Sequence, residues 1–238
     1  MTLRKYIPDF LTAMNLVCGL IALVFAWDGR PDLAFCLMLA AAVFDFSDGF
    51  AARALGAYSD MGKELDSLSD LVSFGVLPAV MLRIQMKTGG GAGWLCWLPL
   101  LLAVFSALRL AKFNVDERQH ASFIGLPTPA CAMICGALCH YVYFNPGGFL
   151  AAWCAGPVFI PLLTAVLCAL LVCELPMFSM KFHADDAPAL KRRRLVFIVA
   201  AAVAALACLV AGQTWSLAVL AVFVVYILLN VIFAMSRI

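Results

Sequence analysis

The sequence predicts an all-α membrane protein, a polytopic bundle of about eight transmembrane helices with both termini cytoplasmic, and three observations predict it. Of its 238 residues, 65% are hydrophobic and 13% charged, too few charges to cover the surface of a soluble domain of this size. Apolar runs near the roughly 20 residues needed to cross about 30 Å of hydrocarbon recur along nearly the whole chain. The cations also segregate. With the N-terminus inside and eight crossings, Arg4, Lys5, Arg53, Lys63, Arg109, Lys112, Arg118, Lys181, Lys191, Arg192, Arg193, Arg194 and Arg237 fall inside, and Arg30, Arg83 and Lys87 outside. That is thirteen of the 16 cations on one side, as the positive-inside rule requires.

The first run, 8–27, is long, holds Asn15 and has no small-x-small cleavage site after it, so it reads as a retained helix rather than a signal peptide. The second, 31–55, opens on Pro31, and carries Asp45 and Asp48 toward its inner end. The third, 65–86, begins with Asp66 and Asp70, and the fourth, 93–113, ends with Arg109 and Lys112. The fifth, 124–144, is shaped at its entry by Gly125, Pro127 and Pro129 and carries Cys131, Cys135 and Cys139 on one face. With no C-x-x-C pair among ten cysteines, these thiols read as small core hydrophobes. Runs 149–173, 195–211 and 215–235 follow, with Lys191–Arg194 as a cationic anchor before the seventh. No repeat or soluble domain interrupts them, so 1–238 reads as one membrane domain, with catalytic helices over about 8–145 and additional helices over about 149–236. No basic stripe suited to nucleic acid is present.

Six of the 14 acidic residues lie between Asp45 and Asp70. Ionisable groups at membrane depth are costly and generally face the protein interior to serve a function. Asp45 and Asp48 are spaced i, i+3, and Asp66 and Asp70 i, i+4, so each pair projects from one helix face. Two antiparallel helices can therefore aim four carboxylates at one point. Like charges that close cannot all stay ionised unless cations neutralise them, and carboxylate oxygens suit Mg²⁺ or Mn²⁺ completed by phosphate oxygens and water. Gly49, Ala52 and Gly62 keep the same region small, which allows a ligand to approach the backbone and equally allows helices to pack. Arg53 adds a cation of phosphate-matching geometry. Asp60 and Glu64 read as solvated turn residues, as does His120 further on.

The segment Asp45-Phe-Ser-Asp48-Gly49-Phe-Ala-Ala52-Arg53, eight residues, Gly62, three residues, Asp66, three residues, Asp70 resembles the complete signature of the CDP-alcohol phosphotransferase family. Within it, residues 7–19, 108–114 and 123–130 are similar to segments of the integral-membrane phosphatidylserine synthases. The resemblance covers about the first 130 residues. It implies a metal-dependent transfer of a phosphatidyl group from CDP-diacylglycerol to the hydroxyl of serine, releasing CMP, in a homodimer of a prokaryotic cytoplasmic membrane, and the cation bias above places the active site facing the cytoplasm. It further implies two divalent ions on Asp45, Asp48, Asp66 and Asp70, and Asp70 as the base on the acceptor hydroxyl. Gly49, Ala52, Arg53 and Gly62 would bind the CDP moiety, with Thr12 and Asn15, one turn apart on the first helix, completing the pocket.

A serine carboxylate calls for a cation, and Arg109 with Lys112 can supply one, with Asn114 taking the ammonium or a water. The same cations also satisfy the topology rule by snorkelling to the interface, and both readings stand. Lys112 stands where the family commonly has Arg and lacks the bidentate fork. Two rival functions differ by class. Another acceptor, such as glycerol phosphate or inositol phosphate, would want more pocket cations. A cation-coupled transporter would want acids near the bilayer midplane in both halves of the chain, whereas here they cluster at one end of the first half.

Overall fold

The computed structural model describes residues 6–90, 93–116, 123–178 and 188–235. Arg4, Lys5, Arg118, His120, Lys181 and Arg237, used above, lie outside the described residues.

Two long helices open the chain, α1 (Tyr6–Trp27) and α2 (Pro31–Leu55), packed against each other along their lengths. Pro31 stands at the first position of α2, where its missing N–H costs nothing. Gly56 ends α2 in the left-handed conformation (φ 59°), its N–H reaching the carbonyls of Ala52 and Arg53. Ser59 then caps α3 (Asp60–Asp70) by accepting from the Gly62 N–H at 2.9 Å. The helix continues through a widened π-turn, Leu71–Val76, into α4 (Leu77–Thr88). Pro78 explains the widening: it has no N–H to offer the carbonyl one turn back, and its ring would crowd that carbonyl in a regular α-helix. The unit Asp60–Thr88 is thus one 29-residue span rather than the 65–86 expected.

A 3₁₀ turn over Gly93–Leu100, containing Pro99, leads into α5 (Leu101–Val115). The fifth run is shorter than the sequence suggested. Residues 123–124 form a strand, β1 (Phe123–Ile124), paired antiparallel with β2 (Pro176–Met177), and α6 (Thr128–Phe144) begins only after Pro127. Nearly every side chain of α6 is buried, on all sides of the helix, which places it at the centre of the bundle. The sixth run is also corrected. It is not one helix but α7 (Phe149–Ala155) and α8 (Phe159–Val172), bent by 91°, because Pro157 drives Gly156 out of the helical region. The last two helices, α9 (Pro188–Val210) and α10 (Trp215–Met235), pack together, and α10 also rests on α6.

Among the described residues six helices are long and apolar enough to cross a bilayer, and the bent pair taken as one unit makes a seventh. The α6 helix, 17 residues, is shorter. Close packing at the core leaves no room at two glycines. A Cβ on Gly136 would stand 2.5 Å from Phe35 Cδ2, and one on Gly19 would press on Ser73 Oγ and come 3.0 Å from Ser73 Cα. All ten cysteines are free thiols, with Cys131, Cys135 and Cys139 buried.

The bundle has chemically distinct ends. The start of α1, the end of α2, the start of α3 and the end of α5 meet at one, where Thr12 touches Asp48 and Lys63 Nζ donates to the Asn114 carbonyl at 2.8 Å. At the other, Trp27, Arg83 and Lys87 line one cleft, and the Arg83 guanidinium lies 4.3 Å from the Trp97 ring centre.

Candidate active site

The α2 and α3 helices run antiparallel at the first of these ends, and their acidic faces meet as the spacing requires. One carboxylate oxygen from each of Asp45, Asp48 and Asp66 lies within 4.8 Å of the other two. Asp48 is buried, while Asp45 and Asp66 are partly buried. Asp66 Oδ1 is enclosed and has no hydrogen-bond partner. Three converging carboxylate oxygens, on residues that include the unsatisfied Asp66 oxygen, form a donor set for a hard divalent cation.

Asp70 stands beside Asp45 but is held differently. It is 8% exposed and its Oδ1 accepts from Asn15 Nδ2 at 3.1 Å. Asn15 is fully enclosed, and its own backbone carbonyl accepts from Ser73 Oγ at 3.1 Å, so α1 is stitched to the π-turn directly behind Asp70. One turn earlier on α1, Thr12 Oγ1 donates to Asp48 Oδ2 at 2.6 Å, with the Pro8 carbonyl 3.0 Å away. The first helix therefore orients one aspartate from each acidic pair.

Beside the triad lies a cleft of about 200 Å³ lined by Thr12, Asp48, Gly49, Ala52, Gly62 and Asp66, together with Pro8, Asp9, Ala57, Tyr58, Ser59 and Lys63. A Cβ on Gly49, which lines the cleft, would meet Arg53 Nη1 alone, at 3.5 Å, while Arg53 is not itself among the cleft's lining residues. At Gly62 a Cβ would come 2.9 Å from both Asp9 Oδ1 and Ser59 Oγ, so glycine is what lets α3 approach α1 here. Arg53 itself is exposed on the last turn of α2.

Three residues grouped on α5 separate in space. Arg109 is 7% exposed, donates from Nη1 to Thr128 Oγ1 at 3.1 Å, and has Asp70 as an electrostatic neighbour, while its Nε is enclosed without a partner. Lys112 turns outward to Glu174 across 3.4 Å, both side chains exposed. Asn114 commits its amide to Ser67 Oγ at 2.8 Å, on α3. Of the three, Arg109 alone reaches the aspartates; Lys112 and Asn114 tie α5 to neighbouring segments.

Asp9, Tyr58 and Thr128 were not singled out from sequence. Asp9 opens α1 just before Thr12, and its position one turn from a residue already suspected was the available signal. Nothing local marks Thr128, whose role depends on an arginine 19 residues away.

The model of the family described as CDP-alcohol phosphatidyltransferase matches residues 5–173. Among curated proteins, the CDP-diacylglycerol–serine O-phosphatidyltransferase of Mycobacterium tuberculosis (strain ATCC 25618 / H37Rv) is 36% identical over 209 residues, covering 84% of this chain and 70% of the relative. The protein of the same name from Bacillus subtilis (strain 168) is 34% identical over 183 residues, 76% of this chain and 95% of the relative. An archaetidylserine synthase from Methanothermobacter thermautotrophicus is 36% identical over 129 residues, 53% of this chain and 54% of the relative.

Proposed function

Because the chain belongs to the CDP-alcohol phosphatidyltransferase family, we propose that it moves the phosphatidyl group of CDP-diacylglycerol to the hydroxyl of L-serine, giving phosphatidylserine and CMP. The observation that carries this is the Asp45, Asp48 and Asp66 triad with Asp70 beside it and the glycine-lined cleft alongside. The serine acceptor is supported by the names of the Mycobacterium and Bacillus relatives and by the buried, half-satisfied Arg109 next to Asp70.

In this reading Asp45, Asp48 and Asp66 hold divalent metal, Mg²⁺ or Mn²⁺, with Asp70 at the edge of the same site and two ions as the count. When bound, the metal neutralises charge on the diphosphate and on the departing phosphate. The protein's own groups position and transfer protons. Thr12 and Asn15 fix the rotamers of Asp48 and Asp70, so the carboxylates are aimed before substrate arrives. The Gly49 and Gly62 backbone and Ala52 give the cytidine a close seat, and Arg53 stands over the diphosphate. Arg109 takes the serine carboxylate and brings the hydroxyl toward Asp70. Asp70 accepts the hydroxyl proton as the serine oxygen bonds to the phosphorus that carries diacylglycerol, and the bond from that phosphorus to the bridging oxygen breaks to release CMP.

The site is assigned to the cytoplasmic face because Arg53, Lys63 and Lys112 collect at that end. A homodimer enters as what the family resemblance implies, and cross-linking in native membranes tests it. The reaction is tested by supplying the purified chain with CDP-diacylglycerol, Mg²⁺ or Mn²⁺ and a panel of acceptors, and measuring CMP. Serine should drive CMP release and EDTA should stop it. Faster release with glycerol phosphate or inositol phosphate overturns the serine assignment, and full activity in EDTA overturns the metal assignment.

A further inference from the structure

The Arg109 guanidinium is held by Thr128 at the start of α6, and a relay of backbone and side-chain contacts leads from there to α10. The chain entering α6 is pinned by hydrogen bonds from the Gly125 N–H to the Leu175 carbonyl at 2.9 Å and from the Leu126 N–H to the Leu170 carbonyl at 2.8 Å. Gly125 has φ 77°, and the carbonyls of Leu171 and Cys173 stand 2.9 Å from where its Cβ would be, so no other residue fits that crossing. The partner segment continues through β2 to Phe178. There α10 takes hold of it. Tyr226 Oη donates to the Phe178 carbonyl at 3.1 Å, Asn230 Oδ1 accepts from the Phe178 N–H at 3.0 Å, and Asn230 Nδ2 donates to the Tyr226 carbonyl at 2.8 Å. The Phe178 and Tyr226 rings also meet edge-on, 5.3 Å apart. Tyr226 is also an electrostatic neighbour of Arg109, while its hydroxyl is committed to the strap at the Phe178 carbonyl. Phe178, Tyr226 and Asn230 all lie beyond residue 173, where the match to the family model ends.

We infer that α10 is the acceptor-setting element of this enzyme: Tyr226 and Asn230 are positioning residues that hold the strap at Phe178 and thereby aim Arg109 at the acceptor carboxylate. The inference rests on the reading of Arg109 as the acceptor's ligand. It accounts for a helix, α10, that lies outside the shared family region yet places buried polar groups on the strap leading to Arg109, where an unpaired polar group is costly and a paired one is specific. Among the described residues α10 meets α2 through ring and apolar contacts, Phe35 stacking on Trp215 with centres 5.4 Å apart, about four turns along α2 from Gly49, so the two substrates should respond separately.

The test uses the full chain in lipid–detergent micelles, with KM measured for serine and for CDP-diacylglycerol in turn. Tyr226→Phe keeps the ring packing and removes the hydroxyl. It should raise the serine KM by roughly five- to tenfold, the loss of about one buried hydrogen bond, with donor KM and kcat within about twofold. Asn230→Ala should do the same, but Tyr226→Phe is decisive alone. A merely structural role would lower the amount of active enzyme and leave both KM values in place. The effect should also run through Arg109. In an Arg109→Lys background, Tyr226→Phe should add less than about twofold, because residues acting through one group are not additive. An unchanged serine KM, an equal rise for the donor, or full additivity overturns the inference. Should the acceptor panel select another compound, the same selective rise in that compound's KM upholds the role of α10 while the serine assignment fails.

Discussion

At the scale of single residues, the site separates metal-holding from proton-taking by what touches each carboxylate. Asp45, Asp48 and Asp66 converge, whereas Asp70 leans on Asn15. Asp70→Asn should therefore lower kcat by about 10²- to 10⁴-fold, the usual worth of a general base, with donor KM little changed in the CMP assay. Asp66→Asn should instead shift the Mg²⁺ concentration needed for half-maximal rate upward, which a metal titration reads. Sequence spacing revealed the four aspartates because each pair needs only its own helix to define a face. It misplaced Lys112 and Asn114 for the same geometric reason. At about 100° per residue, Lys112 sits some 60° around α5 from Arg109 and Asn114 some 140°, enough to send one to Glu174 and the other to Ser67. Thr128 was invisible because its significance is a contact between α5 and α6 that no single helix encodes.

At the scale of elements, α1 is the reference against which the acidic helices are set, and small residues fix the spacing. Gly19→Ala would push against the Ser73 backbone, which cannot swing aside as a side chain tip can. It should cost about 1–3 kcal/mol, read as a lowered Tm in detergent, while Gly147→Ala, with nothing within 4 Å, should leave Tm unchanged. Apolar length located most of the helices from sequence, since α1, α2 and α10 are each one long, unbroken apolar helix. The misreadings sit at prolines. Pro157 turns the run 149–173 into a bent pair, and Pro127 and Pro129 delay α6. Both were in plain view, but an apolar run measured by hydropathy alone does not register a break in direction.

At the scale of the whole molecule, the bundle is a polar-ended cylinder whose two ends differ in chemistry, and that asymmetry determines which compartment supplies substrate. With the aspartate end cytoplasmic, a membrane-impermeant maleimide should label Met61→Cys in inverted vesicles but not in intact cells, and Lys87→Cys in intact cells but not in inverted vesicles. The reverse pattern would place the site on the outer face. Charge segregation predicts this orientation from the sequence, because insertion responds to cations near helix ends rather than to tertiary packing. The burial of α6 on all sides was not legible, since a fully apolar run looks alike whether lipid or protein surrounds it.

The π-turn at Leu71–Val76 lies between Asp70 and the core-facing stretch that begins at Leu77. An extra residue in a helical turn acts as an angular offset: what lies before it and what lies after it face in directions that a regular helix would not combine. Closing that segment into uninterrupted α-helix with all its residues kept, as Pro78→Ala would permit, would rotate Asp66 and Asp70 by about 100° about the axis. Leu77 and the residues after it would keep their seats in the bundle while both carboxylates swung away from α2, leaving a chain that still inserts and folds but has lost the alignment of its two acidic faces.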